Sequence, residues 1–324
     1  MATPLRRLSF GVEIEVVGEP WKVRDGWTPQ QYYDRLQKAL ENRGLTAVVD
    51  NSTVNRSRPD HYDKWFITTD ASLHAIEPQV GLEAVSPKMA LNEDYRDQIK
   101  LFWESLRIVF KVQMNPSSGT HIHVGSLGTN FSLDDAKRIA FATCTYEPYV
   151  ISLLPTARRD NPYCVRNSKR PGRLGELFEQ RTPAALRLIS NDIKACADFS
   201  QLVVYMQGSW EDGKSRRALW NFQNLVRRPT AGYPPTYTVE FRGGRHMRGH
   251  VRTLAWLSFA VTFIALALQE NLVNSSGPYH VSHNGKAAEV ARFWTKLRGS
   301  AKLLKVDEHL PSSFKMMSEK EPWA

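Results

Sequence analysis

Apolar and polar positions alternate most sharply in F-G-V-E-I-E at residues 10–15, where Val12 and Ile14, continued by Val16, share one parity and Glu13 and Glu15 the other. Successive side chains of a strand point to opposite faces, so the pattern predicts a strand with one apolar face for a core and two carboxylates on the other. The same parity pairs His121 with His123 in G-T-H-I-H-V, residues 119–124, and Glu240 with Arg242 in T-V-E-F-R, residues 238–242. Three strands that each carry two ionisable groups on one face suggest a shared site.

Between them the pattern alternates between helical and extended stretches. Thr28 with Pro29 opens a helix that carries Tyr32, Leu36 and Leu40 on one face and stops at Gly44. Short strands follow around residues 46–50, 65–69 and 82–86. Asn92 is read as the cap of a long amphipathic helix through Ile99, Phe102, Leu106 and Phe110, ending before Pro116. Ser132 with Asp135 resembles a capping box and opens a helix toward Glu147, which Pro148 limits. Residues 155–183, rich in Arg, Asn, Pro and Gly, predict a long irregular segment. Residues 186–198 read as helical, 202–206 and 217–222 as extended, 232–235 as a turn, and 252–272 as a long helix. The apolar run 255–268 is too short to span a membrane and is interrupted by Ser258 and Thr262, so it reads as a buried core helix. With no internal repeat or low-complexity linker, one α+β domain over residues 1–304 is expected, with a loosely held tail at 305–324.

The hydrophobic fraction of 42%, with 9 Trp, 11 Tyr and 14 Phe among 324 residues, belongs to a folded chain rather than a disordered one. The formal charge of +10 favours anionic partners, but its arginines are dispersed and no RNA-recognition or helix-turn-helix pattern accompanies them, so nucleic acid is not the expected partner. Cys144, Cys164 and Cys196 are odd in number and widely spaced, which provides neither a disulfide framework nor a C-x-x-C metal site. The start of the chain lacks a signal-peptide pattern, and a cytoplasmic, membrane-free setting is expected.

Glu13, Glu15, Glu83, His121 and Glu240 are the residue types that hold a hard divalent cation, since carboxylate oxygens with one imidazole suit Mg2+ or Mn2+. Each alone has an ordinary alternative: a Glu on a strand is usually solvated, and a His is usually packed or hydrogen bonded. Asp70, in W-F-I-T-T-D-A-S-L, either binds an amine or makes an Asx turn before Ser72.

The ordered series E-I-E, D-A-S-L, G-L-E-A-V-S-P, G-T-H-I-H-V-G and T-V-E-F-R resembles the amidoligase family of the glutamine synthetase and glutamate–cysteine ligase superfamily, over about residues 10–256. The resemblance implies a curved, mostly antiparallel β-sheet funnel flanked by α-helices, like the glutamine synthetase catalytic domain. It implies an ATP-dependent carboxylate–amine ligase that uses two or more Mg2+ or Mn2+ ions. The γ-phosphoryl group of ATP would pass to a small-molecule or peptide carboxylate, and an amine co-substrate would displace phosphate from the acyl phosphate. Carried over residue by residue, Glu13, His121 and Glu240 resemble ligands of the ion at the γ-phosphate, and Glu15 and Glu83 those of the ion nearer the carboxylate substrate. His123 would face the nucleotide, and Arg242 would neutralise the transferred phosphoryl group. Arg158, Asn161 and Tyr163 in R-R-D-N-P-Y-C, and Asn221 in L-W-N-F-Q-N-L, resemble segments bordering the substrate pocket.

The chain departs from the family pattern after Arg242, where G-G-R-H-M-R-G-H-V-R replaces the usual glycine–threonine turn. Arg245, His246, Arg248 and His250 there either meet phosphates or an anionic substrate, or simply precede the next helix. Two other functions fit the same ligands: a metal-dependent amide hydrolase, which would need no nucleotide, and a non-catalytic nucleotide- or anion-binding protein of the same fold. The acid, the amine, the choice of metal and the oligomeric state are open at this point.

Overall fold

The computed structural model describes residues 7–50, 62–91, 94–180, 182–209, 215–226, 236–275 and 286–318. The expected cap at Asn92 and the turn at 232–235 lie outside these residues. The strands are β1 (Leu8–Pro20), β2 (Ala47–Val49), β3 (Trp65–Thr68), β4 (Val80–Val85), β5 (Met89–Ala90), β6 (Phe110–Val112), β7 (Gly119–Ser126), β8 (Trp220–Asn221) and β9 (Val239–Arg245). The helices are α1 (Pro29–Glu41), α2 (Tyr95–Val109), α3 (Leu133–Leu153), α4 (Thr156–Arg159), α5 (Arg173–Gln180), α6 (Pro183–Ala195), α7 (Phe199–Gln207), α8 (His250–Glu270) and α9 (Ala287–Leu304). The fold is therefore α+β. Its open nine-stranded sheet runs β2-β3-β4-β1-β7-β9-β8, with β5 and β6 also pairing with β1. The pairings of β1 with β4, β5 and β6, of β3 with β4 and of β8 with β9 are antiparallel, and that of β2 with β3 is parallel. By contact density the chain divides into an N-terminal unit, mainly Ser9–Ile122 with Gly244–Leu257, and a C-terminal unit, mainly His123–Gly243 with Ser258–Lys320.

In the N-terminal unit, β1 buries Phe10, Val12, Ile14 and Val16, the parity read from the sequence. Packed on α2 and β2, α1 buries Tyr32, Leu36 and Leu40, and Gly44, at φ +81°, takes the left-handed turn that ends the segment. The core of this unit stacks Trp65 on Phe102 at 4.3 Å between ring centres and sets Phe10 edge-on to Tyr95 at 5.2 Å. The amphipathic helix starts at Tyr95 and ends at Val109, short of the expected stop before Pro116 and without Phe110. Phe110 instead begins β6, opposite Pro20 on β1. Gly18 permits this approach, because a Cβ there would lie 2.8 Å from the Cβ of Phe110.

The C-terminal unit differs from expectation at several points. The Ser132–Asp135 box forms: Asp135 N–H donates to Ser132 Oγ at 3.2 Å, and Asp135 Oδ2 accepts from Ser132 N–H at 2.9 Å. Pro148 does not end α3, which runs on to Leu153. The penalty of an interior proline is about 3 kcal/mol, and the buried side chains of Tyr149, Val150 and Leu153 beyond it outweigh that cost. Residues 202–206 are helical, not extended. Asp198 caps α7 by accepting from Gln201 N–H at 2.8 Å, and Leu202, Val203 and Met206 are buried. Of residues 217–222 only Trp220 and Asn221 form a strand. The 155–183 segment holds α4, a 3-10 turn at Asn167–Lys169 and α5, so it is more regular than its composition suggests. Helix α6 starts at Pro183, where Thr182 Oγ1 accepts from Ala185 N–H at 3.1 Å. Beyond Leu304 two 3-10 turns follow, and Val306, Leu310 and Met317 are buried.

The stretch His250–Asn274 is long and apolar enough to cross a membrane, but 89% of its most apolar window is buried inside the protein, as expected of a core helix. The three cysteines are free and buried.

Glu147 on α3 is buried, accepts from Ser168 N–H at 3.1 Å, and has its carboxyl pushed above the usual range, chiefly by burial. The folded state thus keeps a proton that the unfolded chain releases, so stability falls as pH rises above the ordinary carboxylate range. Glu147→Gln is expected to flatten that fall and to match or exceed the parent's stability at neutral pH. Urea midpoints from about pH 5 to 8 check this, and an unchanged slope would show that Glu147 is not its source.

Candidate metal and phosphate site

In the N-terminal unit the strand register gathers acidic groups. Glu15 on β1 lies directly opposite Glu83 on β4, and Thr68 on β3 lies opposite Glu83 from the other side. Opposed residues of an antiparallel pair share a face, so the two carboxylates converge. Asp70 follows the end of β3 by two residues and joins them: ligand oxygens of Glu15, Asp70 and Glu83 all lie within 4.8 Å of one another. Of the two readings of Asp70 the Asx turn is formed, its Oδ1 accepting from Ser72 N–H at 2.7 Å. It keeps company with carboxylates, which the sequence did not reveal.

His121 on β7 is buried, with Nδ1 3.1 Å from Glu13 Oε2 and Nε2 3.6 Å from Glu15 Oε1. A neutral imidazole has one N–H and can donate to only one of two flanking carboxylates. A cation at the other nitrogen would satisfy both. The donor set, four carboxylates and one imidazole within this unit, therefore fits a hard divalent ion such as Mg2+ or Mn2+.

In the C-terminal unit a hydrogen-bonded chain fixes Glu240, which is buried on β9 opposite Asn221 of β8. Asn221 Nδ2 donates to Glu240 Oε2 at 2.6 Å, and Gln207 Nε2 donates to Asn221 Oδ1 at 2.8 Å. Gln207 Oε1 in turn accepts from Phe222 N–H. Arg242, two residues on and so on the same face, donates from Nη1 to Glu240 Oε1 and from Nε to Tyr163 O at 3.2 Å. Arg158, itself buried, donates from Nη2 to Arg242 O at 2.5 Å. His123 places Nε2 4.0 Å from Glu240 Oε1, while its Nδ1 faces Asn224 Nδ2 at 3.1 Å and Thr238 Oγ1 at 3.4 Å. A ring that accepts at Nδ1 from the Asn224 amide carries its proton on Nε2, toward Glu240.

The residues expected near a substrate divide by what they touch. Arg158 and Tyr163 come together on Arg242, and Asn221 on Glu240. Asn221 is buried, its Oδ1 also accepting from Gln223 N–H at 3.0 Å, so its contacts are those of a support for Glu240. Asn161 shapes its loop by accepting from Tyr163 N–H at 2.8 Å, and the Tyr163 ring lies under Arg217 at 4.7 Å. Gln207, Asn224 and Asn167 were missed. Gln207 directly follows the stretch 202–206 that was read as extended and is the last residue of α7. Asn167 brackets the backbone of Trp220, accepting from its N–H at 3.0 Å and donating to its carbonyl at 2.9 Å, as a neighbouring strand would.

The two glycines that follow Arg242 have a steric basis. A Cβ on Gly243 would lie 2.6 Å from the Phe241 ring and 2.8 Å from Leu219 Cδ1, and one on Gly244 would lie 2.5 Å from Thr120 O. Arg245 ends β9, with its side chain outside the described residues. Arg107 of α2 donates to Arg248 O, which ties this segment down. His250 opens α8, and its pKa is lowered by burial and then by Lys100 and Arg107.

The N-terminal unit thus gathers carboxylates that could hold a metal ion, and the C-terminal unit pairs a buried carboxylate with an arginine. The family described as "Putative amidoligase enzyme" matches residues 6–264, and the chain belongs to it; the family is named for ligase-type enzymes. No curated protein matches the chain.

Proposed function

We propose that this protein is an ATP-dependent carboxylate–amine ligase, requiring Mg2+ or Mn2+, that forms an amide bond through an acyl phosphate. The convergence of Glu15, Asp70 and Glu83 within 4.8 Å, beside His121, carries the reading. Glu15, Asp70 and Glu83 would hold the ion nearer the substrate carboxylate. Glu13 and His121 would serve the phosphate-side ion, and Glu240 is the metal ligand of the C-terminal unit. Bound ions would neutralise phosphate and carboxylate oxygens during phosphoryl transfer.

Arg242 offers a planar, permanently charged fork to the transferred phosphoryl group, aimed by its bonds to Glu240 and Tyr163. Arg158 and Asn221 act by holding the Arg242 backbone and the Glu240 carboxylate, while Asn161 and Tyr163 shape the adjoining loop. His123 faces the nucleotide, and Arg245 meets its phosphates. The same reading takes the sheet as glutamine synthetase-like, the acid as a small molecule or peptide, and the compartment as cytoplasmic, which suits three free cysteines.

The test is an acid and amine panel read by ADP and phosphate release. Release is expected to need the divalent ion and both co-substrates, and Glu13→Gln is expected to abolish it without unfolding the chain. Amide cleavage without nucleotide would sink the reading and point to a metal-dependent hydrolase.

A further inference from the structure

A cavity of about 840 Å3 lies within the C-terminal unit, walled by α3, α5, α6 and the segment around Arg159, Arg166 and Gly172. It shares no lining residue with the group around Glu240 and Arg242. Ile151, Leu177, Leu186 and Ile189 give it an apolar wall, and its volume is in the range of sites that take drug-sized ligands.

Its charge is uneven. Arg159, Arg166, Lys169 and Arg170 all line it. Asp160, which is exposed, is shared by Arg166 at 3.3 Å and Lys169 at 3.0 Å. Arg159 donates from Nε to Leu154 O at 2.9 Å, and among the described residues its guanidinium makes no direct ion pair, although its charge is felt by Asp160. Of the acidic groups in the lining, Glu147 is engaged with Ser168 N–H, and Glu176 and Glu179 stand exposed on α5. A half-buried guanidinium with no directly bonded carboxylate, beside an apolar wall, is suited to a charge-assisted bond with an anion that carries an apolar body. A purely apolar ligand would leave that cation without a directly bonded anion.

We propose that this cavity binds a small amphipathic acid, its apolar body against Ile151, Leu186 and Ile189 and its anionic end received by Arg159 and Arg166. Binding there is independent of nucleotide and of the metal ligands.

The test uses the full chain with anilinonaphthalene sulfonate, an anionic dye, and phenylnaphthylamine, its neutral counterpart. One saturable site is expected for the anionic dye. The double variant Arg159→Ala/Arg166→Ala should weaken it by about tenfold or more while leaving the neutral dye unaffected. Ser152→Trp, which places a ring in the cavity, should abolish both; if that variant fails to fold, the arginine pair alone decides. Displacement by dodecanoate would identify an acyl-chain acid, and displacement by N-acetylphenylalanine a peptide-like one. No saturable binding, binding that survives loss of both arginines, or failure of both acids to displace the dye would overturn the proposal.

Discussion

Glu15→Gln is expected to lower turnover by about a thousandfold or more while leaving the metal-free chain as stable as the parent or more stable. Glu15 is buried, and its carboxylate lies within 4.8 Å of those of Asp70 and Glu83. Two full charges at such a separation repel by roughly 3–4 kcal/mol at an effective dielectric of 20, less where solvent screens them. Removing one charge with an isosteric amide relieves that repulsion. The same change removes an anionic ligand, so the benefit reverses once a cation is present. A ligand that binds only the folded state at a hundred times its dissociation constant stabilises it by about 2.7 kcal/mol. Thermal unfolding with and without Mn2+ should therefore show an upward shift of a few degrees in the parent and little in the variant. Equal shifts in both would mean that the carboxylate group is a solvated acidic patch and that the assigned ion lies elsewhere. Because Glu13 contacts His121 and does not belong to this carboxylate group, Glu13→Gln should act on nucleotide use and Glu15→Gln on the acid substrate.

The sequence made the β1 site legible because strand parity is a local property: Val12, Ile14 and Val16 had to face a core if Glu13 and Glu15 faced away from it. Helix caps were legible for the same reason, as Thr28 and Ser132 show. Asp70 was ambiguous because an Asx turn and an amine-binding role call for the same residue, and its place beside Glu83 depends on the pairing of β3 with β4. At 202–206 the apolar run Leu-Val-Val, with its two β-branched valines, suggested a strand, but the cap at Asp198 and burial of one helical face decide the outcome. Pro148 was overruled in the same way by tertiary packing. Gln207 and Asn221 could not be identified as supports, since their value lies in a hydrogen-bonded chain across three elements. Such networks leave no periodic trace.

Arg242→Ala is expected to show two separable losses. Chemistry should fall by about a thousandfold or more, the scale seen when an arginine that offsets phosphoryl charge is removed. Stability should fall as well, because Glu240 is buried and Arg242 Nη1 is bonded to its Oε1. Removing one partner of a buried pair costs up to about 3–5 kcal/mol when the other is left bare, and His123 beside Glu240 Oε1 places the loss below that limit. The Asn221 amide remains on Oε2 but carries no net charge. The backbone frame should persist in the variant, since Arg158 donates to the Arg242 carbonyl, which the substitution keeps. The double variant Glu240→Gln/Arg242→Ala separates the two effects: without the stranded carboxylate, most of the stability should return while turnover stays lost. Arg242→Lys retains charge but loses the fork and the Nε bond to Tyr163 O, so it should fall between the two. Denaturant unfolding and ADP release, measured on all four proteins, resolve the pattern. A folded Arg242→Ala variant with parental turnover would remove Arg242 from the chemistry and leave it as the counter-ion of Glu240.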